Sequence, residues 1–547
     1  APPYELPEYP FTPPPELRGE TPQRYPIVIV GAGPAGLTLA CDLAQRGVRC
    51  VLIDDDHTVG VRGASSRGIC YAQKSLEIMD RLGIGERIVS KGVAWSFGRT
   101  FSGDEEVYNF NLQNQSVSRQ PPFVNLQQFY IEWFLVDRIQ ALGLTDLRWL
   151  SRVSDVQQQT DHVVLQVQTP QGSYRLEADH LIDATGANSP IRQQLGLETH
   201  ASRSTDRWCI TDVRFKKPLP VERWTWVDAP FNNGRAVWQH LMADDVWRMD
   251  YQMSEEMDPE VISRPDVAGE RIRAQLGDDV EFEFVWIGPY QYRDHLLDNF
   301  RHGRIFFIGD SAHVVSPFGA RGGNTGIQDA FNLGWKLALV TTGQAPDSLL
   351  DSYSTERQPA AAENLRVTSR SARFLAPRSP AEQVLRRAVL KLARRHAFAR
   401  PLVNTGRMSV ANDYPPSPWL PQGSRTVQNL TLQDAAGQSH GLMDLLRTGT
   451  RFVGLWFSPS PDEAQRACRE LAAFPLDLLA IGHSDVLPAR QDPEGVLARQ
   501  LGLDPAACAG TLCLIRPDAY LAVTVPDCTA AQLQQAMQTV LFTAATP

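Results

Sequence analysis

Cysteine is scarce in this chain: eight residues in 547, with no CxxC pair among them. That excludes a disulfide framework and a dithiol redox motif, and reads as reduced thiols in a cytoplasmic setting. Long apolar runs are missing too. The longest, Ile27–Ala40, is broken by three glycines and a proline and is too short to cross a bilayer. A basic excess is absent, the formal net charge being -9 at pH 7, so neither a nucleic-acid partner nor a stable membrane surface is expected. The opening stretch APPYELPEYPFTPPPELRGE has no basic n-region ahead of an apolar core, so it does not read as a signal peptide. It reads as an extended arm over residues 1–25. No metal-ligand spacing is found.

What the chain does hold begins with YPIVIVGAGPAGLTLACDLAQRGVRCVLIDDD. A run of β-formers, Ile27–Val30, meets Gly31, Gly33, Pro34, Ala35 and Gly36, then a helical segment, then a strand ending at Asp54. This is a βαβ unit with GxGxxG in its turn. The glycines permit a tight turn, close approach of a pyrophosphate and close packing of helix on strand. The helix N-terminus offers free N–H groups to phosphates, and Asp54 stands where an acid accepts from a ribose hydroxyl.

Two later segments read as returns to the same layer: HLIDATGANSPIRQQLG, with Gly186 in its turn, and RIFFIGDSAH, ending at Asp310. Ligands of open α/β sheets gather at such strand ends. Between them, residues 206–252 alternate and are rich in aromatics, which reads as an antiparallel sheet domain inserted into the first. The expected boundaries are 26–195 and 299–375 for the nucleotide domain, 196–298 for the inserted sheet and 376–424 for a helical linker. The basic run AEQVLRRAVLKLARRHAFARPL within the linker reads as a solvated helix face covering an apolar seam. Residues 425–547 follow a β-α-β-α-β-β-α order that is thioredoxin-like but lacks CxxC, so a structural role is expected.

The stretch GDSAHVVSPFGARGGNTGIQDA combines Asp310, His313 and Pro317 with Arg321, Gly322, Gly323, Asn324 and Thr325, just before a helix. So little side chain at a helix front leaves backbone, rather than side chains, to meet whatever the loop holds.

Together with Arg67 in SSRG and Gln128 and Glu132 in NLQQFYIE, these motifs make the chain resemble the class A FAD-dependent aromatic monooxygenases, the phenol and p-hydroxybenzoate hydroxylase family. The likeness is to the branch with a thioredoxin-like tail that includes 3-(3-hydroxyphenyl)propionate hydroxylase. It implies an α/β fold: a Rossmann-like, glutathione-reductase-like FAD domain, an inserted antiparallel-sheet substrate domain and a C-terminal thioredoxin-like domain. It also implies NADH or NADPH as reductant, O2 as co-substrate, a C4a-hydroperoxyflavin, a phenolic substrate and a homodimer. By the same resemblance Asp310 meets the ribityl chain or pyrophosphate, Arg67 a phosphate, and Gln128 a ribityl or phosphate oxygen. The backbone near Asn324 and Thr325 meets the flavin O2/N1 edge, and the Pro317 carbonyl lies near the reacting ring. His313 is a candidate base.

Two departures from the family stand out. Thr185 replaces the acid of its Asp-Gly motif, and GAR at 319–321 replaces Gly-Gly-Gln, leaving Arg321 either to anchor a substrate anion or to pair with a nearby acid. Trp226, Trp238, His240, Arg248 and Tyr292 are the candidate substrate residues. Two alternatives remain at this stage: flavin-dependent oxidation of a non-phenolic substrate, and a flavin-binding partner without turnover. A halogenase is disfavoured, WTWVDAP at 224–230 being only a partial echo of its Trp-x-Trp-x-Ile-Pro run.

Overall fold

A computed structural model describes residues 4–19, 21–60, 68–113, 117–203, 206–447 and 449–543. Strand β1 (Gln23–Val30) runs into helix α1 (Pro34–Gln45) and returns as β2 (Cys50–Ile53), pairing parallel with β1 at Val28↔Val51. Ile27, Val28 and Ile29 are wholly buried, as expected for a strand covered on both faces. Helix α2 (Gln128–Leu142) leads to strand Thr145–Arg148 beside β2, and a meander ends in the long β3 (Gly172–Asp183), which lies parallel to β1 on its other side.

The chain then leaves this sheet. Strands β4 (Arg207–Phe215), β5 (Arg223–Ala229), β6 (Arg235–Leu241), β7 (Trp247–Met253) and β8 (Phe282–Tyr290) form a second sheet in the order β8-β4-β7-β6-β5. This sheet is not confined to 196–298. Two earlier strands, Phe97–Ser102 and Glu105–Asn111, complete it, the first lying parallel to β5 with Arg223 opposite Gly98.

The return is β9 (Ile305–Phe307), parallel to β3, followed by helix α3 (Arg321–Thr341), packed along α1, and helix α4 (Asp351–Leu375). Helix α5 (Pro380–Arg395) buries Val389, Leu390 and Ala393 with Val107, Trp208 and Trp238 of the second sheet. Val384, Leu385 and Leu392 on its other side stay exposed.

A third sheet of six strands, centred on Phe452–Phe457, forms the C-terminal part. Trp335 of α3 meets Phe452 edge-on at 5.4 Å. Arg516 spans the junction, reaching Glu356 of α4 at 2.6 Å and Asp518 at 2.5 Å, all three buried. Among the described residues no helix is long and apolar enough to cross a membrane.

Candidate functional site

The β1–α1 turn shows why its glycines are needed. Gly31 has φ +110°, and a Cβ there would lie 2.2 Å from the Ala184 carbonyl oxygen. At Gly36 a Cβ would lie 1.9 Å from the Gly31 oxygen, whereas at Gly33 it would meet nothing within 4 Å. Gly31 and Gly36 are thus set by packing, whereas none of the described residues packs against Gly33. Gly33 also caps α1 without any side-chain bond, so the helix N-terminus has no acceptor of its own.

The half-buried Asp54 ties this turn down. Its carboxylate accepts from the N–H of Ala32 at 2.6 Å and of Asp56 at 2.8 Å. Burial raises its pKa, and those two bonds oppose the rise. Close by, the buried Glu132 on α2 accepts from the N–H of Gly60 at 2.9 Å. Burial first, and the neighbouring carboxylates after it, push its pKa up to about 8. An acid whose folded pKa is raised binds its proton more tightly in the folded state, so stability falls as pH climbs from the unfolded value towards about 8. Glu132→Gln is expected to remove that slope. In thermal melts of the apoprotein its midpoint should exceed wild type by several degrees near pH 8, with the gap closing in mild acid. Gln128, on the same helix, accepts from the N–H of Gly68 at 3.3 Å. Arg67 lies outside the described residues.

The strand-end glycine Gly309 brings the two helix fronts together. A Cβ there would sit 3.1 Å from the Ala35 Cβ on α1 and 3.9 Å from the Gly326 Cα on α3. Asp310, next in the chain, is exposed at this junction. Ala320 caps α3 in the left-handed region, φ 58°, again without a side-chain bond. The Asn324 side chain is committed inward. Its Oδ1 accepts from Ala72 N at 2.9 Å and Ser75 Oγ at 2.6 Å, while its Nδ2 donates to the Cys70 carbonyl at 2.9 Å. Thr325 Oγ1 donates to the Arg321 carbonyl at 2.6 Å. What α3 has to offer a ligand is therefore backbone N–H, at Gly322 and Gly323, where an added Cβ would meet little or nothing.

Two expectations change here. His313 is buried, its Nε2 2.5 Å from Asp329 Oδ2, and Arg357 Nε donates to the other oxygen at 2.7 Å. An imidazole bound into such a pair supports the interior rather than facing a substrate, unlike the base expected there. Arg321 neither pairs with an acid nor points outward. Its buried guanidinium donates to the Asn364 Oδ1 at 2.6 Å and to the carbonyls of Arg407 and Met408 at 3.2 and 3.4 Å. Burial, with Arg407 nearby, lowers its pKa to about 10. Pro317 is half-buried, and its carbonyl accepts the Ala320 N–H at 3.2 Å to close the turn before α3. Thr185 donates its hydroxyl at 2.6 Å to Asp183, the buried acid two residues earlier, so the loop before Gly186 is organised by Asp183.

The second sheet faces this junction. Strand alternation and register (Thr225↔Trp238, His240↔Arg248, Asp212↔Arg248) place Trp238, His240 and Arg248 on that face. Trp208 stacks on Trp238 at 5.3 Å, and Phe318, beside Pro317, meets Trp238 and Tyr292 edge-on at 5.2 and 5.4 Å. Arg248 is spoken for: it forks onto Asp212 at 2.8 and 2.9 Å, both groups buried. Trp226 faces the other way, stacked on Phe101 at 5.0 Å and edge-on to Phe231 at 5.3 Å in the sheet's far core, away from the face expected to meet a substrate. Trp208 and Arg223 were missed. Period-2 counting finds both, because Arg223 shares its face with Thr225, and Trp208 with Asp212.

The residues present fit an FAD: uncapped fronts of α1 and α3 meet at Gly309, with open space over Gly33, Gly186 and Gly323. Comparison with known proteins agrees. Residues 24–368 match the family described as FAD binding domain. The chain is 29% identical, over 93% of its length and 91% of the relative's, to 6-methylpretetramide 4-monooxygenase of Streptomyces rimosus. It is 25% identical to the 3-(3-hydroxy-phenyl)propionate/3-hydroxycinnamic acid hydroxylase of Mycolicibacterium smegmatis, over 81% of this chain and 78% of the other. Among solved structures, the flavin-dependent monooxygenase PieE in complex with FAD and substrate superposes with a TM-score of 0.79, covering 96% of this chain and all of that one at 22% identity.

Proposed function

The chain belongs to the FAD binding domain family, and from that membership we propose that it is an NAD(P)H- and O2-dependent hydroxylase of phenolic aromatic compounds. When bound, FAD would supply the redox chemistry that couples oxidation of the nicotinamide to entry of one oxygen atom of O2 into the ring, the other leaving as water.

The protein's share is placement. The fronts of α1 and α3 hold negative charge, at the phosphates and at the flavin ring, with dipoles that need not reorganise. Asp310 and Gln128 would hold the ribityl and phosphate part of the cofactor. The Pro317 carbonyl and the face carrying Trp208, Trp238 and His240 bracket the acceptor ring and exclude water. The observation that carries the reading is the meeting of two uncapped helix fronts opposite an aromatic sheet face. The C-terminal sheet is proposed to be structural. Its Cys513 is buried, with burial pushing the thiol up to about 11, and no CxxC exists to make it a dithiol.

The test is aerobic NADH and NADPH oxidation by the FAD-loaded protein against hydroxyphenylpropionates, hydroxybenzoates, resorcinol and polycyclic phenols, with products weighed. At least one phenol should accelerate oxidation and gain a single oxygen atom. Acceleration that yields only hydrogen peroxide with every phenol, or no acceleration by any, would overturn the reading.

A further inference from the structure

We propose that Arg223 is the substrate's anion anchor, holding one ionised oxygen group of a flat aromatic ring against the second sheet. The inference rests on the hydroxylase reading and narrows its substrate.

Arg223 opens β5 and is 7% exposed. Its guanidinium lies over the ring of Trp95 at 5.6 Å and over that of Trp238 at 5.7 Å. Among the described residues its one hydrogen bond runs from Nη1 to the Cys70 sulfur at 3.8 Å, a weak acceptor. Among the described residues no carboxylate lies within ion-pair reach of it, in contrast to Arg248 on the same face. A buried guanidinium without an anion is costly unless one arrives.

Its surroundings are incomplete in the same sense. Among the described residues the indole N–H groups of Trp208 and Trp238 are buried without a partner, and so is the Nδ1 of His240. The other ring nitrogen of His240 stands 3.3 Å from Asp250, and burial lowers the pKa of the imidazole. Buried polar groups are almost always satisfied, and a cluster left open on one face marks where a ligand supplies the partners. The position suits a reacting ring. The Cys70 carbonyl on the far side of Arg223 is held by Asn324 in the first turn of α3, the helix front assigned to the flavin. Two ring faces and one uncompensated charge therefore describe a planar, oxygen-rich aromatic carrying a single anionic group.

The probes are 4-nitrophenol, 4-nitrobenzoate and the neutral 4-nitroanisole, bound by equilibrium dialysis to the FAD-loaded protein without reductant. Wild type should bind one or both anions about tenfold or more tightly than the anisole. The phenolate and carboxylate arms say which oxyanion is taken. Arg223→Gln should erase the preference while leaving anisole binding and FAD content unchanged. An unchanged anion preference in Arg223→Gln would overturn the proposal. So would wild type that binds the anisole as tightly as both anions, a result that needs no variant. Because binding is read without turnover, Arg223-dependent anion binding alongside failed hydroxylation would sink the functional reading alone. Hydroxylation with Arg223-independent binding would sink this one alone.

Discussion

Replacing Gly31 with alanine is expected to yield a protein that purifies without FAD and melts well below wild type. A Cβ at Gly31 would stand 2.2 Å from the Ala184 oxygen and 2.6 Å from its carbonyl carbon, both backbone atoms. Neither side can yield. Gly31 N donates to the Ile53 carbonyl and Ala184 N to the Val30 carbonyl, each at 2.8 Å, so the turn is stitched to the strands on both sides. The φ of +110° alone costs a residue with a side chain of order 1–3 kcal/mol, before any overlap is counted.

Gly33→Ala makes the informative control. Its φ is -82° and a methyl there meets nothing within 4 Å, so the fold should be untouched. If FAD passes over Gly33, that variant melts like wild type as apoprotein yet loses flavin on gel filtration. A Gly33→Ala protein that keeps its flavin as firmly as wild type would remove the phosphate site from the front of α1.

That contrast also marks what could be read from residues alone. Local chemistry was legible: the βαβ unit and the strand ahead of Gly309 each depend on neighbours within thirty residues of sequence, whereas Arg321–Thr325, read as lying just before a helix, form the first turn of α3. Pairings made across the chain were not. Strands Phe97–Ser102 and Glu105–Asn111 join a sheet whose other members begin a hundred residues later, and no local periodicity announces that partnership. Arg321 was expected to need an acid or a substrate. Its actual partners are the Asn364 side-chain oxygen on α4 and the carbonyls of Arg407 and Met408, brought back by a loop beyond α5. Trp226 failed for a different reason. Trp224 and Trp226 share a face, but alternation does not say which face looks at the active site, and only the register with β6 decides it.

Asp329→Asn is the substitution expected to cost the most stability of any isosteric change near the site. Its wholly buried carboxylate collects three donors: Arg357 Nε at 2.7 Å, His313 Nε2 at 2.5 Å and the Gly309 N–H at 3.2 Å. Asparagine keeps one acceptor oxygen and turns an amide towards a cation, leaving the Arg357 charge uncompensated in the interior. Breaking one side of a buried pair costs about 3–5 kcal/mol, equivalent here to a melting point lower by on the order of 10 °C. The flavin should loosen with it, since Gly309 sits where α1 and α3 meet.

The pH dependence gives an independent check. Burial acts to raise the Asp329 pKa, but His313 and Arg357 outweigh it and hold the carboxyl below its ordinary value. A group depressed in this way contributes stability above its unfolded pKa and loses that contribution as pH falls through the folded one. Wild type should therefore lose stability on acidification below the usual carboxylate range, and Asp329→Asn, already without that contribution, should show a shallower acid limb. Equal acid limbs for the two proteins in urea titrations would show that the His313–Asp329–Arg357 pairing does not hold the two helix fronts together.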